Sequence, residues 1–539
     1  MQSNKFLRKT GRLQKKRALV ICTHLRRQRT KERSSHVLQP LAGLHIGSLI
    51  DARSFEVTLY HEDWHGPFDT SGDREHFDIV FLTGVQADFD RMRQLSYHFQ
   101  RRGAAVVAGG SICTLFPEFA EQFFSAVCVG GVDSVREVIR DFQNGALKQV
   151  YRTAPDEISQ YDLDYSLFTR AGISPSPHLI EASRGCNFRC SFCVIPAEGA
   201  KHASYEIEAV RRAIDSALNT SPFWSFRRLY PTILFLDNNF TDNREKALAF
   251  AEMLRADNRI HAWAALVTQD ILHDRDLVSR LVQCKCNGLF IGLESLDRAF
   301  LRRYNKKQNL SRRSDIVDDI IYAESLGICL GYGYLFDPRS MTSAEMEAQV
   351  RSLAETPGFP MPTFLSLVSP LAGTATFWED AQKGDLAPNL LLRDLDGETI
   401  AYSKLADAKE AVVSFVERMS RRPWTLTNRW SVIRSMLRRL RNSSRFDPLR
   451  WYMIVSSGLY PYAFGRKVKS PRTAFFAGED ALDPQYSEYP PDISGADWEK
   501  YFKPIQLTEP DGRLSDWLLP YARNRAEGPA SREMDLNAG

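Results

Sequence analysis

Residues 178–193 read HLIEASRGCNFRCSFC. The segment His178–Ala182 is a short apolar run that predicts a buried strand, and Cys186, Cys190 and Cys193 follow it on one tight loop. Three thiolates on such a loop can bind three corners of a [4Fe–4S] cluster, and because no fourth cysteine follows nearby, one iron stays open to a chelating ligand. Zinc is the alternative, but it normally takes a fourth Cys or His at motif spacing, and His202 stands alone.

Downstream of the cysteines, apolar strands alternate with helices. The predicted strands are His178–Ala182, Thr232–Leu236, His261–Val267, Gly288–Gly292, Cys329–Phe336 and Thr363–Val368. This repetition predicts a parallel, incomplete TIM-type (β/α)6 barrel over residues 177–395. Cys284, Cys286 and Cys329 lie in apolar stretches and are expected to be core thiols.

The spacing Cys-x3-Cys-x2-Cys, with Phe192 before the last cysteine, resembles the signature of radical S-adenosylmethionine (SAM) enzymes. The resemblance extends from residue 176 to about residue 370, and includes Phe235–Phe240 and Gly292–Ser295 at two predicted strand ends. It implies that the open iron binds SAM and that an electron from the cluster cleaves SAM to a 5′-deoxyadenosyl radical. A reducing partner such as flavodoxin or ferredoxin is implied as well.

The same resemblance implies which side chains approach SAM. They are Phe192, Asp237 or Asn238 at the methionine end, and Glu294 further along the barrel. The alternative for Asp237 is a helix N-cap, and for Glu294 a surface acid. Polar residues at the strand ends of such barrels are usually functional.

Upstream of the barrel, residues 17–150 alternate continuous apolar strands with helices, which predicts a doubly wound, Rossmann-like parallel sheet. Ligands of such sheets bind at the carboxyl ends of the strands. Those ends are small or glycine-rich here, and the candidate residues are Thr83, Gly84, Gly109, Gly110, Ser111, Gly130 and Gly131.

Joined to a radical SAM barrel, this unit resembles the cobalamin-binding domain of a large subgroup that contains the magnesium-protoporphyrin ester oxidative cyclase and radical C-methyltransferases. Small residues would let a flat corrin approach. The Asp-x-His-x-x-Gly sequence that supplies a histidine ligand elsewhere is absent, and His65 lies in a different context, so no protein imidazole is expected on cobalt. The alternative is a domain that binds a nucleotide or nothing, although no Gly-x-Gly-x-x-Gly follows the first strand.

The remaining segments are predicted as a basic tail (1–16), a linker (151–176) and a helical to irregular C-terminal region (396–539). Arginines and tryptophans alternate between residues 421 and 451. A solvated helix that caps the barrel is one interpretation. Peripheral contact with a membrane, or with an anionic substrate, is the other.

Composition limits the classes of protein to which the chain can belong. The chain has 539 residues, a formal net charge of +4 and nine cysteines, too few for a disulfide scaffold. No signal peptide opens it, no window reaches the roughly 18 apolar residues of a membrane span, and no RNA-binding module is visible. A cytoplasmic protein that binds no nucleic acid is therefore expected.

These features favour a cobalamin-dependent radical C-methyltransferase that acts on an unactivated carbon of a small organic or lipid-like substrate. A radical cyclase or oxidase that uses cobalamin without methyl transfer is the second hypothesis. A cobalamin or iron–sulfur sensor without turnover is the third. Product mass separates the first two, because only methyl transfer adds a methylene unit.

Overall fold

The computed structural model describes residues 15–25, 40–70, 76–154, 158–159, 161–173, 177–220, 230–310, 315–356, 359–397, 399–421, 429–441, 451, 454 and 493–526. Within these ranges the chain forms two six-stranded parallel sheets and one short antiparallel pair. None of the helices in these ranges combines the length and the apolar character that crossing a bilayer requires.

The N-terminal sheet has the strand order β2-β1-β3-β4-β5-β6, and every pair in it is parallel. Its strands are β1 Lys16–Cys22, β2 Phe55–His61, β3 Ile79–Thr83, β4 Ala105–Gly109, β5 Ala126–Gly130 and β6 Val150–Thr153. The last five residues of β1 are all buried, as expected for a strand covered on both faces. The predicted doubly wound sheet is confirmed, and the order reverses between β1 and β3, where such sheets bind ligands.

The helices of this unit are α1 Leu41–Leu49, α2 Glu62–His65, α3 Phe89–Arg101, α4 Ser111–Leu115, α5 Pro117–Ala120 and α6 Val135–Gln143. The predicted linker 151–176 differs from expectation in two ways. Its first residues complete β6, and it contains α7 Ser166–Arg170. Leu163, Tyr165 and Phe168 are buried in the core that joins both sheets. The Tyr165 hydroxyl also donates to the carbonyl oxygen of Leu179 at 2.6 Å.

The second sheet has the order β14-β13-β12-β11-β10-β7, again entirely parallel. Its strands are β7 His178–Ile180, β10 Thr232–Phe235, β11 Ala262–Thr268, β12 Cys286–Glu294, β13 Cys329–Phe336 and β14 Phe364–Leu367. All six predicted strands are confirmed, and β7 and β14 are the two edges of an open half-barrel. Trp263 fills its core and is fully buried, with its indole N–H bonded to the carbonyl oxygen of Cys284 at 2.7 Å.

The short pair consists of β8 Ser183–Arg184 and β9 Ala203–Ser204. The helices are α8 Val194–Ala197, α9 Ile207–Asn219, α10 Arg244–Ala256, α11 Arg275–Gln283, α12 Arg298–Arg303, α13 Ile316–Leu326, α14 Ser343–Glu355 and α15 Ala375–Gln382. Side-chain caps fix several helix starts, and α14 begins with a capping box between Thr342 and Glu345.

The C-terminal region contributes α16 Lys409–Arg421, α17 Arg429–Arg441, α18 Gly495–Asp497, the π-helical turn Trp498–Phe502 and α19 Leu519–Ala526. Both α16 and α17 pack on α14. Residues 493–526 return to the N-terminal unit, where Arg93 donates to the carbonyl oxygens of Lys500 and Lys503, both at 2.6 Å. The ring of Phe119 stacks on Trp517 at 4.0 Å. No pattern in the sequence predicts this return.

Candidate active site

The three predicted cluster ligands lie on one loop that β8 and β9 close at its base. The antiparallel pairs are Ser183 with Ser204 and Arg184 with Ala203, so residues 185–202 form a closed excursion beyond β7. Cys190 is buried, and Cys186 and Cys193 are half-buried. All three are free thiols on the same loop, as a cubane with one open iron requires.

A cubane spreads its thiolates over different irons, whereas a zinc site gathers its ligands around one ion. Among the described residues, no three His, Cys, Asp or Glu side chains converge tightly enough to hold a single metal ion. Burial raises the pKa of Cys186, and it raises the pKa of Cys193 to about 11. Both sulfurs are thus thiols until a metal replaces the proton.

A second segment, residues 304–309 after α12, supports the cysteine loop. The carbonyl oxygen of Tyr304 accepts from the backbone N–H of Ser191 at 3.0 Å, and the Asn305 amide donates to the carbonyl oxygen of Arg189 at 2.6 Å. The Gln308 amide donates to Sγ of Cys190 at 3.3 Å. Hydrogen bonds to cysteine sulfur tune the reduction potential of a cluster.

Asp237 and Asn238, which follow β10, both bond to the start of this loop. Oδ1 of Asp237 accepts from the backbone N–H of Ala182 at 2.9 Å, and its Oδ2 accepts from the Ser183 hydroxyl at 2.6 Å. Asn238 is exposed, and its Oδ1 accepts from the backbone N–H of Gly185 at 2.9 Å. Asp237 is fully enclosed, and this burial raises its pKa to about 8. In the structure it fixes the loop rather than capping a helix.

Glu294 ends β12 with an unusual backbone. Its φ of 60° lies in the left-handed region, which non-glycine residues rarely adopt outside functional or strained sites. Its carboxylate accepts from the Lys306 ammonium at 2.6 Å, so it is not an unpartnered surface acid. Lys306 lies 5.7 Å from the ring centre of Phe192, and Phe192 packs edge-on against Tyr304. The strand end, the lysine and the cysteine loop are therefore in contact.

The predicted cobalamin residues lie along the carboxyl edge of the N-terminal sheet. Thr83 ends β3, and its carbonyl oxygen accepts from the backbone N–H of Thr23 at 2.8 Å. A Cβ on Gly84 would lie 2.3 Å from Oγ1 of Thr23. Gly110 has a φ of +113°, and a Cβ there would lie 2.8 Å from the carbonyl oxygen of Gly84. Glycine is therefore favoured at position 84 by the Thr23 side chain and at position 110 by the close approach of the Gly84 backbone.

Gly109, Gly130 and Gly131 complete this edge. A Cβ on Gly109 would make only an ordinary contact, at 3.8 Å from Cβ of Cys128, so packing within the protein does not require glycine there. Gly130 ends β5 with a φ of +88°, and its N–H is bonded to Oγ1 of Thr114 at 3.1 Å. Gly131 follows in an extended conformation. Val85, which follows Gly84 in the turn after β3, is 67 % exposed, so the edge also presents apolar surface.

His65, the one histidine that the sequence analysis weighed and set aside as a cobalt ligand, has both ring nitrogens engaged. Its Nε2 lies 2.7 Å from the carbonyl oxygen of Ala171, and its Nδ1 lies 3.0 Å from the backbone of His61. The side chain therefore lies between β2 and the segment that connects the two sheets, residues 154–177. It is in no position to act as a metal ligand without breaking these contacts.

The carboxyl edges of the two sheets face each other. The Ser111 hydroxyl, at the end of β4, donates to Glu198, which directly follows α8 in the cysteine loop. Gln86 and Ala372 exchange two hydrogen bonds, both 2.9 Å long, between the turn after β3 and the segment after β14. Burial raises the pKa of Glu198. The glycine-rich edge is thus in direct contact with the loop that carries the cysteines.

Arg184 forms another link between the sheets. Its guanidinium pairs with Glu181 at 2.7 Å and lies 4.0 Å from Asp133, two residues beyond Gly131. It also contacts Nδ1 of His45 in α1 at 3.0 Å. Sequence reasoning missed Arg184, Glu198, Lys306 and Gln308. The first two are close to the cysteines in sequence, but no pattern marks the last two, because their position depends on how α12 ends.

Comparison with known families agrees with this geometry. Residues 180–355 match the family model of the radical SAM superfamily. Bacteriochlorophyllide d C-8(2)-methyltransferase of Chlorobaculum tepidum is 25 % identical over 361 residues, which cover 64 % of this chain and 77 % of that protein. Bacteriochlorophyllide d C-12(1)-methyltransferase of the same organism is 24 % identical over 366 residues, which cover 64 % and 74 %.

Solved structures share the fold. The radical SAM methyltransferase TsrM from Kitasatospora setae, with cobalamin and a [4Fe–4S] cluster bound, aligns with a TM-score of 0.50 at 16 % identity over 70 % of this chain and 77 % of that one. The cobalamin-dependent SAM radical enzyme OxsB aligns with a TM-score of 0.53 at 14 % identity over 84 % and 71 %. The match to the radical SAM family model therefore covers the segment that forms the half-barrel, residues 180–355.

Proposed function

We propose that this protein is a cobalamin-dependent radical SAM C-methyltransferase that acts on an unactivated carbon of a small organic or lipid-like substrate. The observation that carries the proposal is the contact between Ser111 and Glu198, because it sets the glycine-rich edge of one sheet against the cysteine loop of the other. Two relatives named as methyltransferases of bacteriochlorophyllide support methyl transfer over the cyclase and sensor alternatives.

The donor set fits an iron–sulfur cluster. Cys186, Cys190 and Cys193 would hold it, with the Gln308 amide on one sulfur. Phe192, Asn238 and Glu294 are the proposed contacts of SAM at the same end of the half-barrel. Asp237 is proposed to act through the loop it holds, since both its oxygens are already bonded to residues 182 and 183. When bound, these groups supply the radical that removes hydrogen from an unactivated carbon.

The glycine edge fits a large flat ligand at one position in particular. Packing explains Gly84 and Gly110, but no protein contact requires glycine at 109. The missing side chain there leaves room for a corrin held by Thr83, Gly109, Gly130 and Gly131, whereas Ser111 is proposed to act through Glu198, to which its hydroxyl is bonded. Cobalamin would supply the methyl group. The chain's own task is to bind both groups, orient the substrate between them and exclude water.

The test is to count two products in one incubation. Anaerobically reconstituted protein, with reductant, SAM and candidate substrates, should release 5′-deoxyadenosine and S-adenosylhomocysteine in a ratio of about one, since each methyl delivered consumes two SAM molecules. The Cys186→Ala variant is the control for both products. Deoxyadenosine without the homocysteine product would favour a cyclase or oxidase, and neither product would favour a sensor.

The surroundings of the reaction are part of the same proposal. A reductant such as flavodoxin or ferredoxin would deliver the electron. A cytoplasmic location is supported by nine cysteines that are all free thiols. Peripheral contact of residues 421–451 with a membrane is proposed because a lipid-like or large apolar substrate partitions into bilayers. Residues 422–428 and 442–450 of this segment lie outside the described part of the chain.

A further inference from the structure

Helix α17 carries a strongly one-sided charge. Its sequence over Arg429–Arg441 is RWSVIRSMLRRLR, with five arginines among 13 residues and no acidic residue. Over the whole chain, by contrast, Lys and Arg total 70 against 66 for Asp and Glu. This helix is therefore a local concentration of positive charge on a nearly neutral protein.

Four residues of α17 whose exposure the structure describes form a stripe. Trp430, Arg434, Leu437 and Arg441 are exposed, and their spacing of four, three and four residues places them on one face. Trp430 is 70 % exposed and Leu437 is 56 % exposed. The described part of the chain exposes five large hydrophobic residues, and Trp430 and Leu437 are two of them. Trp451, beyond the helix, is a third.

A neighbouring face of α17 is partly buried. Ile433, Met436 and Leu440 are only partly exposed, and the helix packs on α14. The preceding helix α16 is tied to α14 as well, because Arg418 pairs with Glu347.

We propose that this outer stripe, Trp430, Arg434, Leu437 and Arg441, docks the enzyme on a bilayer surface rich in anionic phospholipid headgroups. Arginine pairs with lipid phosphate, while tryptophan and leucine enter the boundary between headgroups and acyl chains. Charge complementarity selects the anionic surface: each basic residue near it contributes favourably, and α17 has no acid to offset them. The inference deepens the membrane contact in the proposed function and does not depend on methyl transfer.

The experiment is flotation of the full reconstituted protein with vesicles of phosphatidylcholine alone or mixed with phosphatidylglycerol. The wild type should float with the mixed vesicles and remain behind with phosphatidylcholine alone. R434E/R441E should lower the partition coefficient by roughly tenfold or more, and W430A/L437A should lower it while preserving sensitivity to salt. The matched control is R211E/R212E on α9, which makes the same change in net charge at two exposed positions and should bind like wild type.

Iron content and 5′-deoxyadenosine formation in detergent-free buffer, measured for each variant, separate loss of docking from loss of folding. Equal binding to both vesicle types would overturn the proposal. So would equal weakening by the control pair, which would indicate non-specific charge. If W430A/L437A instead abolished a dimer in solution and vesicles had no effect, a second copy of the chain would be the occupant and the proposal would be wrong. None of these outcomes bears on the product ratio that tests methyl transfer.

Discussion

A Cβ atom on Gly185 would lie 1.9 Å from the carbonyl oxygen of Lys201. The two residues face each other where the cysteine loop leaves β8 and returns to β9, and the N–H of Gly185 is bonded to Asn238. Gly185 also has a φ of +74°, in the left-handed region. The base of the loop therefore closes on a position that no residue with a side chain can occupy without moving backbone.

Gly185→Ala should open this base and lower bound iron well below that of the wild type after reconstitution. The control is Gly199→Ala in the same loop, which has a φ of +75° but open space around its Cβ. Both substitutions bear the left-handed penalty of about 1–2 kcal/mol, so a difference in iron content reports the clash with Lys201. Equal iron in the two variants would contradict this role.

The cysteines themselves give the most direct prediction. Reconstituted wild type should bind about four irons, and the C186A/C190A/C193A variant should bind none and lack the broad visible absorption. Cys284→Ala should retain the iron, since Cys284 is buried behind Trp263. A cluster that survives in the triple variant would mean that other residues hold it.

Much of this architecture could be predicted because it follows local patterns. The strands of both sheets are continuous apolar runs. The hydrophobic pattern and the length of each run are enough to predict where the strand lies, as β13 over Cys329–Phe336 illustrates. The cysteine loop could be located because ligand spacing is a short-range property. The burial of the interdomain segment could not be predicted, since Tyr165 is packed in a core formed by residues from both sheets.

The supporting residues of the site were beyond sequence reasoning for the same reason. Lys306 reaches Glu294 only because α12 ends after one and a half turns and sends the chain back across β12. Glycines 84 and 110 were predicted to contact a ligand, but in the structure Gly84 makes room for the Thr23 side chain and Gly110 for the backbone of Gly84. A single sequence cannot distinguish a glycine that admits a ligand from one that admits a neighbouring backbone.

The carboxyl group of Asp237 predicts an unusual pH dependence of stability. Burial raises its pKa from 3.8 to about 8. Because the folded protein then binds this proton more tightly than the unfolded chain, its contribution is fully present below about pH 4 and is lost as pH rises through about 8. The urea midpoint of the apoprotein should therefore fall across this range more steeply in the wild type than in Asp237→Asn.

The control for that measurement is Asp511→Asn, since the Asp511 side chain is 66 % exposed. It should keep the slope of the wild type. If Asp237→Asn and the wild type lost stability in parallel between about pH 5 and pH 8, Asp237 would be ionised in the folded protein throughout and its burial would be balanced by a cation.

Gly110→Ala should reduce corrinoid loading in cells supplied with hydroxocobalamin. Its added Cβ pushes against the carbonyl oxygen of Gly84 and displaces the β3 turn at the switch point. Gly103→Ala in the same unit also has a positive φ but nothing within 4 Å, so it controls for backbone strain. Corrinoid is read from the visible spectrum and iron from a separate assay, which should be unchanged. Normal loading of Gly110→Ala would remove this turn from the cofactor site.

The bound cobalt should also show no protein imidazole, because both nitrogens of His65 are engaged with backbone. Electron paramagnetic resonance of the reduced corrinoid tests this through nitrogen hyperfine splitting. Splitting that disappears in a His65→Ala variant would show that the contact with Ala171 opens on binding.

Ser111 and Glu198 should govern how well the two halves of the reaction are coupled. Ser111→Ala removes the hydroxyl that joins the glycine edge to the cysteine loop, at a cost of about 1 kcal/mol, which is roughly fivefold in a conformational equilibrium. Iron and corrinoid contents should stay at wild-type levels, while 5′-deoxyadenosine should exceed methylated product severalfold because radicals form without a correctly placed acceptor. Glu198→Gln keeps an oxygen that accepts from Ser111, and should therefore retain a ratio of 5′-deoxyadenosine to methylated product near that of the wild type. If Ser111→Ala instead lost its corrinoid, Ser111 would contact the cofactor directly and would not act through Glu198.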